Sequence, residues 1–151
     1  MTRPTVVVRP VVDDDRPAWE RLFAGYRTFY EMPEDPATLA TVWEWLRDPG
    51  HPVGGLVAEV DGEIVGLAHH RRYARPSEGG YGTWLDDLFT LPQARGRGVA
   101  RALIEAVTEL ASARGDQLVR WITDDDNSTA RRLYDDLAVA TRWVTYDRAI
   151  G

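Results

Sequence analysis

The chain has 151 residues, 44% of them hydrophobic, and a formal net charge of −6 at pH 7. Its length and apolar content suit one globular domain with a continuous core and exclude a disordered chain. The acidic excess argues against nucleic-acid binding, and the absence of cysteine excludes disulfides, thiolate metal sites and a cysteine nucleophile.

No apolar run approaches the roughly 18 residues that a membrane span requires. Residues 1–8 lead directly into a strand-like run and lack the pattern of a signal peptide. We therefore expect a cytoplasmic protein without a membrane or nucleic-acid partner. An acidic surface attracts cationic small molecules or basic peptides, although mild acidity also serves simply to keep a domain soluble.

Three elements are predicted in the first third of the chain. A valine-rich strand covers residues 6–12, and a helix with apolar side chains at helical spacing covers residues 16–30. The acidic residues 13–15 offer an N-cap to that helix. Asp35 followed by Pro36 is typical of a helix start, so a second helix is predicted from there to about Asp48.

A hairpin is the clearest local signal in the middle of the chain. Strand-like runs at 55–60 and 63–70 are separated by Asp61 and Gly62, a dipeptide that favours a tight turn. A polar loop over residues 74–80 leads to a further strand over residues 82–90. A helix with one apolar stripe follows over residues 96–114 and ends at Gly115.

The last third is predicted to hold a strand over residues 118–123, a helix from Asn127 to about Leu137, and a final strand over residues 141–148. No repeat or interdomain linker divides the chain, so residues 1–151 are expected to form a single domain. The order of helices and strands predicts the α/β class with a mixed sheet.

Residues 93–98, Gln-Ala-Arg-Gly-Arg-Gly, connect the fourth predicted strand to the third helix. Such a turn aims backbone N–H groups at one point, where the helix dipole also favours negative charge. Arg95, Arg97 and Arg101 surround it, so a pyrophosphate suits both features. The alternative is a tight connection without a ligand, because the turn lacks the Walker pattern and the third glycine of the dinucleotide fingerprint.

Asp86 and Asp87 interrupt an otherwise apolar strand. Because neighbouring strand residues point to opposite faces, at most one of the two carboxylates is expected to face a given cleft. A charge is costly to bury without a function, so one of them is the candidate proton acceptor. In the alternative without a function, one carboxylate is exposed and the other is capped by loop amides.

Four further residues have both a structural and a functional interpretation. Asn127 and Tyr134 lie two turns apart on one helix face, where a helix cap and a core residue would also be found. His69 and His70 point to opposite faces of their strand. They are interpreted as surface or core histidines, one of which could line a cleft, and no metal site is expected because no further ligand stands at suitable spacing.

Tyr26, Tyr30 and Glu31 end the first helix. Such residues are ordinary core and rim residues, but aromatic rings beside an acid also suit an ammonium ligand. The sequence alone leaves both interpretations open.

Three short motifs occur in a fixed order along the chain: Asp86 to Thr90, then Gln93-x-x-Gly96-x-Gly98, then Asn127-x-x-Ala130-x-x-x-Tyr134. In this combination the chain resembles the GCN5-related N-acetyltransferases, the GNAT family, over nearly its whole length. Within the family it looks most like the branch of Hpa-type and diamine acetyltransferases. The resemblance implies a single-domain fold with helices on both faces of a mixed sheet that splays into a V between strands 4 and 5.

The resemblance also implies an enzyme that uses acetyl-CoA to acetylate an amine directly. Main-chain groups of Leu88, Phe89 and Thr90 would pair with the pantetheine arm of the cofactor. Other cofactor contacts would come from the turn and from the last helix: Gln93, Arg95, Gly96, Arg97, Gly98, Val99, Ala100, Asn127 and Ala130.

The resemblance assigns the chemistry to three side chains. Asp86 would accept the amine proton directly or through a water, with Asp87 as the second candidate, and Tyr134 would protonate the departing thiolate. A strand amide near Phe89 would stabilise the oxyanion. Tyr26, Tyr30 and Glu31 would line the acceptor site, and the protein would form a homodimer as relatives commonly do.

The acceptor stays open among a polyamine, a diamine, an amino acid, an aminoglycoside and a lysine side chain. Two other functions compete with the enzyme. A noncatalytic acyl-CoA-binding regulatory module would keep the turn without needing Tyr134 or a base, and a reader of basic tails would not need the turn. The chain also has Ala138 and Val139 where many relatives have Gly-Phe, which leaves the packing of the final strand open.

Overall fold

A computed structural model describes residues 5–151, whose contacts divide into two compact units, one up to Trp121 and one from Ile122 to Gly151. The prediction of a single domain therefore stays a prediction, and each unit is described by itself. The first unit is built from these elements: β1 Val6–Pro10, α1 Arg16–Phe29, α2 Pro36–Arg47, β2 Val53–Val60, β3 Glu63–Arg75, β4 Gly80–Thr90, α3 Val99–Ala113 and β5 Val119–Arg120. The second unit holds α4, Ser128–Leu137.

The strands form one mixed sheet in the order β1-β2-β3-β4-β5. Strands β1 to β4 pair with one another in antiparallel fashion, and β5 pairs with β4 in parallel. The β4–β5 ladder contains only Thr83 with Val119 and Trp84 with Arg120, although β4 continues to Thr90. The α/β class and the separation of strands 4 and 5 are thus confirmed.

Helices cover both faces of the sheet, as expected. Trp19 of α1 donates its indole N–H to Nε2 of His69 on β3. Gly66 lies three residues earlier on the same strand and so faces the other way. A Cβ atom at Gly66 would stand 2.7 Å from Cγ1 of Val99 on α3. Helices α1 and α3 therefore pack on opposite faces of β3.

Large apolar side chains fill the space between these layers. Burial is almost complete for Trp19 and Leu22 of α1 and for Trp43 of α2. The centroids of the two indole rings lie 5.2 Å apart. On the other face, Leu103 and Val107 of α3 are fully buried. Removing one of the buried aromatic side chains would cost about 3–5 kcal/mol.

The β2–β3 hairpin confirms the predicted turn, since Asp61 and Gly62 have φ values of 53° and 78°. The polar loop predicted over residues 74–80 is present but shorter than predicted. Strand β3 continues to Arg75 and β4 begins at Gly80, with a 3₁₀ turn at Pro76–Glu78 between them. Cross-strand aromatic packing of Tyr73 against Trp84 supports the longer hairpin.

Asp15 stands at the predicted helix start but does not cap α1 with its side chain. Its carboxylate accepts from Nη1 and Nη2 of Arg9 at 2.7 and 2.8 Å and from the Val12 amide at 2.8 Å. The ion pair with Arg9 therefore replaces the predicted cap. Asp35 does cap α2, accepting from the Thr38 amide at 3.2 Å.

The second unit differs from the prediction at its end. Helix α4 is present, but residues 138–151 contain no strand, so the predicted strand over residues 141–148 is wrong. Trp143 is 71% exposed and Tyr146 is 91% exposed. The second unit contains no other strand with which this segment could pair, and a strand without a partner is not stable in water. Strand β5 is also shorter than the predicted 118–123.

Among residues 5–151, no helix is both long enough and apolar enough to cross a membrane.

Candidate functional site

A β-bulge shapes the centre of β4. His69 of β3 lies opposite Asp87, but His70 lies opposite Leu85, so Asp86 is an extra residue in the ladder. The prediction that the two carboxylates point to opposite faces is therefore wrong. Asp86 bonds to Arg71 and Asp87 bonds to His69, and these two partners lie on the same face of β3. The bulge brings both carboxylates to the face that α1 covers.

Asp87 takes part in a buried hydrogen-bond network. Its Oδ2 lies 2.8 Å from Nδ1 of His69, whose Nε2 accepts from the indole N–H of Trp19 at 2.9 Å. His69 is 2% exposed, and the ring of Phe23 packs edge-on against it at 4.8 Å. The imidazole therefore has a partner on each nitrogen, and the side chain of Asp87 remains 23% accessible.

Asp86 lies in a different electrostatic environment. Both of its oxygens accept from Nε of Arg71, at 3.0 and 3.2 Å. Even so, burial raises the pKa of Asp86 above its ordinary value, because the desolvation of its carboxylate outweighs the opposing effect of Arg71. The like charge of Asp87 raises the pKa of Asp86 further. A carboxyl group with a raised pKa is a better proton acceptor than an ordinary aspartate.

The end of α1 adds aromatic side chains to the same face. Tyr26 and Tyr30 pack with ring centroids 4.8 Å apart. Burial raises the pKa of Tyr26 well above its ordinary value, and the nearby carboxylates of Asp87 and Asp86 raise it further, so its phenol stays protonated. Glu31 follows with φ 58° and an exposed side chain. The structure thus brings Tyr26 together with the two carboxylates.

The glycine turn has the geometry of an anion cradle. Gly96 and Gly98 have φ values of 79° and 81°, and nothing lies within 4 Å of the space in front of either. The first intrahelical bond of α3 runs from the Ala102 amide to Gly98 O at 3.0 Å, so the amides of Val99 and Ala100 have no intrahelical acceptor. These observations fit a bound diphosphate.

The turn lies next to the end of α1. The guanidinium of Arg95 stands 5.7 Å from the ring centre of Phe29. Gln93, Arg95 and Arg97 have exposed side chains. The cradle and the aromatic end of α1 are therefore neighbours in the first unit.

The free edge of β4 connects the carboxylates to the turn. Leu88, Phe89 and Thr90 pair with β3 on one side. On the other side, the described part of the chain provides no strand beyond Trp84. The Thr90 hydroxyl is buried and lacks a hydrogen-bond partner among residues 5–151. An extended ligand arm could add to this edge as a strand does, so the edge also fits the cofactor.

The remaining predicted site residues lie in the second unit. Asn127 caps α4, accepting from the Ala130 amide at 3.4 Å and donating to Oγ1 of Thr123 at 3.2 Å. The cap interpretation of Asn127 is thus observed, and its contact with a cofactor stays a prediction. Tyr134 is half-buried on α4, and its catalytic role also stays a prediction.

Sequence reasoning missed the partners of the carboxylates. It considered that one of His69 and His70 could line a cleft, but it did not connect His69 with Asp87 or Asp86 with Arg71. The first contact depends on the register of β3 and β4 and the second on the bulge, and no local motif indicates either. Among residues 5–151, no group of three side chains could hold a metal ion.

Comparisons with known proteins identify the family of this chain. Residues 19–138 match the acetyltransferase (GNAT) family. The chain is 30% identical over 150 residues to a D-amino-acid N-acetyltransferase of Saccharomyces cerevisiae, covering 98% of this chain and 93% of the relative. It is 32% identical over 142 residues to a phosphinothricin N-acetyltransferase of Alcaligenes faecalis, covering 89% and 70%.

A solved structure shows the same fold. The ribosomal-protein-alanine N-acetyltransferase from Brucella melitensis biovar Abortus 2308 superposes with a TM-score of 0.82 at 24% identity, over 97% of this chain and 100% of that chain. The family match favours an enzyme over a noncatalytic module on the same scaffold. The chain belongs to the acetyltransferase (GNAT) family and is an acetyl-CoA-dependent acyltransferase that acts on amines.

Proposed function

We propose that this protein acetylates the primary amine of a small molecule, with an amino acid as the preferred class of acceptor. The observation that carries the proposal is the pair Asp86 and Asp87 on one face of β4. The pair lies beside a cation, Arg71, and on the same strand as a free edge that leads to the anion cradle.

The chain's own groups would hold the cofactor in three places. The amides at the start of α3, with Arg95 and Arg97, would bind the diphosphate. The free edge formed by Leu88, Phe89 and Thr90 would bind the pantetheine arm, with a strand amide near Phe89 facing the carbonyl oxygen. Bound acetyl-CoA supplies an acetyl thioester that a neutral amine can attack.

The acceptor must lose a proton before it reacts, because an alkyl amine with a pKa of about 10.4 is an ammonium ion at neutral pH. Asp86 is the better base, because its raised pKa favours proton uptake. Asp87 is engaged by His69 and would hold the ammonium by charge. The proton would pass from the amine nitrogen to a carboxylate oxygen of Asp86, directly or through one water.

Tyr134 would supply the second proton. As the new carbon–nitrogen bond forms and the carbon–sulfur bond breaks, its phenol would donate to the departing sulfur, and the released thiol would carry that proton. Its place in the family motif with Asn127 and Ala130 on α4 supports this role. Replacing Tyr134 with Phe should lower kcat by about 10²-fold and change KM little.

Charge favours a zwitterionic acceptor. The site presents two carboxylates and one guanidinium, and Arg71 has a side chain that is 41% accessible. An α-ammonium could lie against the carboxylates while the acid group of the same molecule pairs with Arg71. The yeast relative is named for D-amino acids, and the Alcaligenes relative is named for phosphinothricin.

Thiol release with matched pairs of acceptors tests this proposal. Each free amino acid is compared with its amide, which keeps the amine but removes the acid group. The wild type should prefer the free acid. Arg71→Gln should raise the KM for the acid about 10-fold and leave the KM for the amide unchanged. Arg75→Gln, on the same strand with a side-chain bond to Gln117, is the matched control.

Two results would contradict the proposal. The first is the absence of thiol release with every amine, including polyamines and lysine peptides. The second is that the wild type uses the free acid and the amide equally well. That result would exclude a zwitterionic acceptor but would leave amine acetylation as the proposed reaction.

We also propose, from the family resemblance, that the protein is a homodimer. Exposed apolar side chains in the second unit support this, since Trp143, Val144 and Tyr146 would be costly to leave in water. Light scattering of the full chain and of a chain ending at residue 138 tests it. A full-length monomer at micromolar concentration would contradict it.

A further inference from the structure

The hydrogen bond between Trp19 and His69 determines where the imidazole carries its proton. An indole nitrogen can only donate, so Nε2 of His69 must accept the bond at 2.9 Å. A neutral imidazole has one N–H, which must then be on Nδ1. Both rings are buried, so no water competes for either nitrogen.

The N–H on Nδ1 points toward Asp87, on the face of the sheet that α1 covers. Oδ2 of Asp87 lies 2.8 Å from Nδ1 and accepts from it. The opposite tautomer would place an N–H against the indole N–H and a lone pair against the carboxylate, so it would lose both hydrogen bonds. Trp19 thus makes His69 a donor to Asp87.

Within the described residues, 5–151, the His69 ring bonds to Trp19 and to Asp87. Phe23 of α1 packs edge-on against the imidazole ring, and His70 points to the opposite sheet face. The charged group in contact with His69 is Asp87 from β4, while Tyr26 from α1 bonds to Asp87 and Arg71 bonds to the neighbouring Asp86. The direction of the His69 donor is therefore set by Trp19 on one side and by Asp87 on the other.

We propose that Trp19 and His69 are positioning residues that fix Asp87 as the ammonium-binding carboxylate and leave proton transfer to Asp86. The bond from His69 holds Oδ2 of Asp87, the Tyr26 phenol donates to the same carboxylate, and the accessible part of that carboxylate is left to the acceptor. This inference rests on the proposed amine acetylation, but its central observation, the tautomer of His69, is measurable without any substrate.

The first experiment is nitrogen-15 NMR of the wild type at pH 8. The sequence has three histidines, so the imidazole signals are few, and His51→Asn and His70→Asn identify the remaining ring. Nδ1 of His69 should show the shift of a protonated ring nitrogen and Nε2 that of an unprotonated one. A ring with its proton on Nε2 would overturn the inference while leaving the proposed function intact.

The second experiment separates positioning from packing. His69→Asn keeps an N–H donor near the place of Nδ1, whereas His69→Leu fills the space without a donor. The Leu variant should raise the KM for the amine about 10- to 100-fold at unchanged KM for acetyl-CoA, and the Asn variant should recover most of that loss. Equal losses in both variants would mean that His69 only packs, and would overturn the inference.

Trp19→Phe tests the other end of the network. It keeps an aromatic ring but removes the indole donor, so part of the His69 population should move its proton to Nε2 in the NMR spectrum. A His69 ring that stays protonated only on Nδ1 in this folded variant would overturn the role of Trp19. If Trp19→Phe does not fold, the wild-type spectrum and the two His69 variants still test whether His69 donates to Asp87 and positions it.

Discussion

Gly66 of β3 and Val99 of α3 approach more closely than any side chain at position 66 would allow. A Cβ atom at Gly66 would stand 2.7 Å from Cγ1 of Val99 and 3.1 Å from Cδ1 of Leu103. Val99 is the first residue of α3 and follows the glycine turn directly. The distance between the sheet and the anion cradle is therefore set by the missing side chain of Gly66.

Gly66→Ala should push the start of α3 away from the sheet. We expect a loss of about 1–3 kcal/mol in the free energy of unfolding and a weaker affinity for coenzyme A. Val99→Ala removes the opposing methyl groups, so the double variant should recover part of both losses. Denaturant unfolding and calorimetry with coenzyme A measure the two effects. Additive losses in the double variant would show that this contact does not position the cradle.

The cradle itself is tested by Gly96→Glu. A carboxylate there would occupy the space meant for phosphate and repel it, so binding of coenzyme A should be lost. The substitution also forces a non-glycine residue to φ 79°, which costs about 1–2 kcal/mol by itself.

Gly62→Glu is the matched control for that strain. Gly62 has φ 78° and equally open space in front of it, but it lies in the β2–β3 hairpin turn. Both variants should lose similar stability, and only Gly96→Glu should lose calorimetric binding of coenzyme A. Equal affinity in the two variants would contradict the assignment of the turn.

How much of the fold and of this site can be predicted from the sequence depends on how far apart the interacting residues lie along the chain. The Asp61–Gly62 turn and the Asp35 cap follow from neighbouring residues, and both were predicted correctly. The bulge at Asp86 depends on how two long strands align, and contacts between distant residues, such as that of Tyr73 with Trp84, belong to this alignment. The residues after 138 show the converse, because their alternating pattern predicts a strand but the second unit contains no strand with which it could pair.

The raised pKa of Asp86 gives the reaction a characteristic pH dependence. Its ionised form is the base, so the rate should fall as the pH decreases through a value above that of an ordinary aspartate, about 3.9. Asp87 raises the pKa of Asp86 and Arg71 lowers it. Asp87→Asn should therefore move the acidic limb to lower pH, and Arg71→Gln should move it to higher pH.

The measurement is kcat against pH for the wild type and both variants with one amine, so that the titration of the acceptor is common to all three. Shifts in opposite directions identify Asp86 as the base. If the acidic limb stays in place in both variants, another group takes the proton. Asp86→Asn should lack the limb and retain about 1% of the rate.

His70 gives the folded state its own dependence on pH. The ring is 8% exposed, and its Nδ1 has no hydrogen-bond partner among residues 5–151. Burial, together with the positive charge of Arg114, lowers the pKa of His70 to about 4. Between that value and the ordinary one, near 6.5, the unfolded chain binds a proton that the folded chain excludes. The stability from neutral His70 is thus complete above pH 6.5 and is lost as the pH falls toward 4.

The contribution amounts to about 2–3 kcal/mol across this window, by the conversion of 1.36 kcal/mol per pKa unit. His70→Asn removes the titrating ring, so its unfolding free energy should fall less steeply than that of the wild type between pH 6.5 and 4. His51→Asn is the control for replacing a histidine by asparagine, because His51 lies in the partly exposed loop before β2. Denaturant unfolding at half-unit pH steps measures all three slopes. The difference in slope between the wild type and His70→Asn measures the contribution of His70 alone. Equal slopes would therefore show that other groups cause the loss of stability at acidic pH.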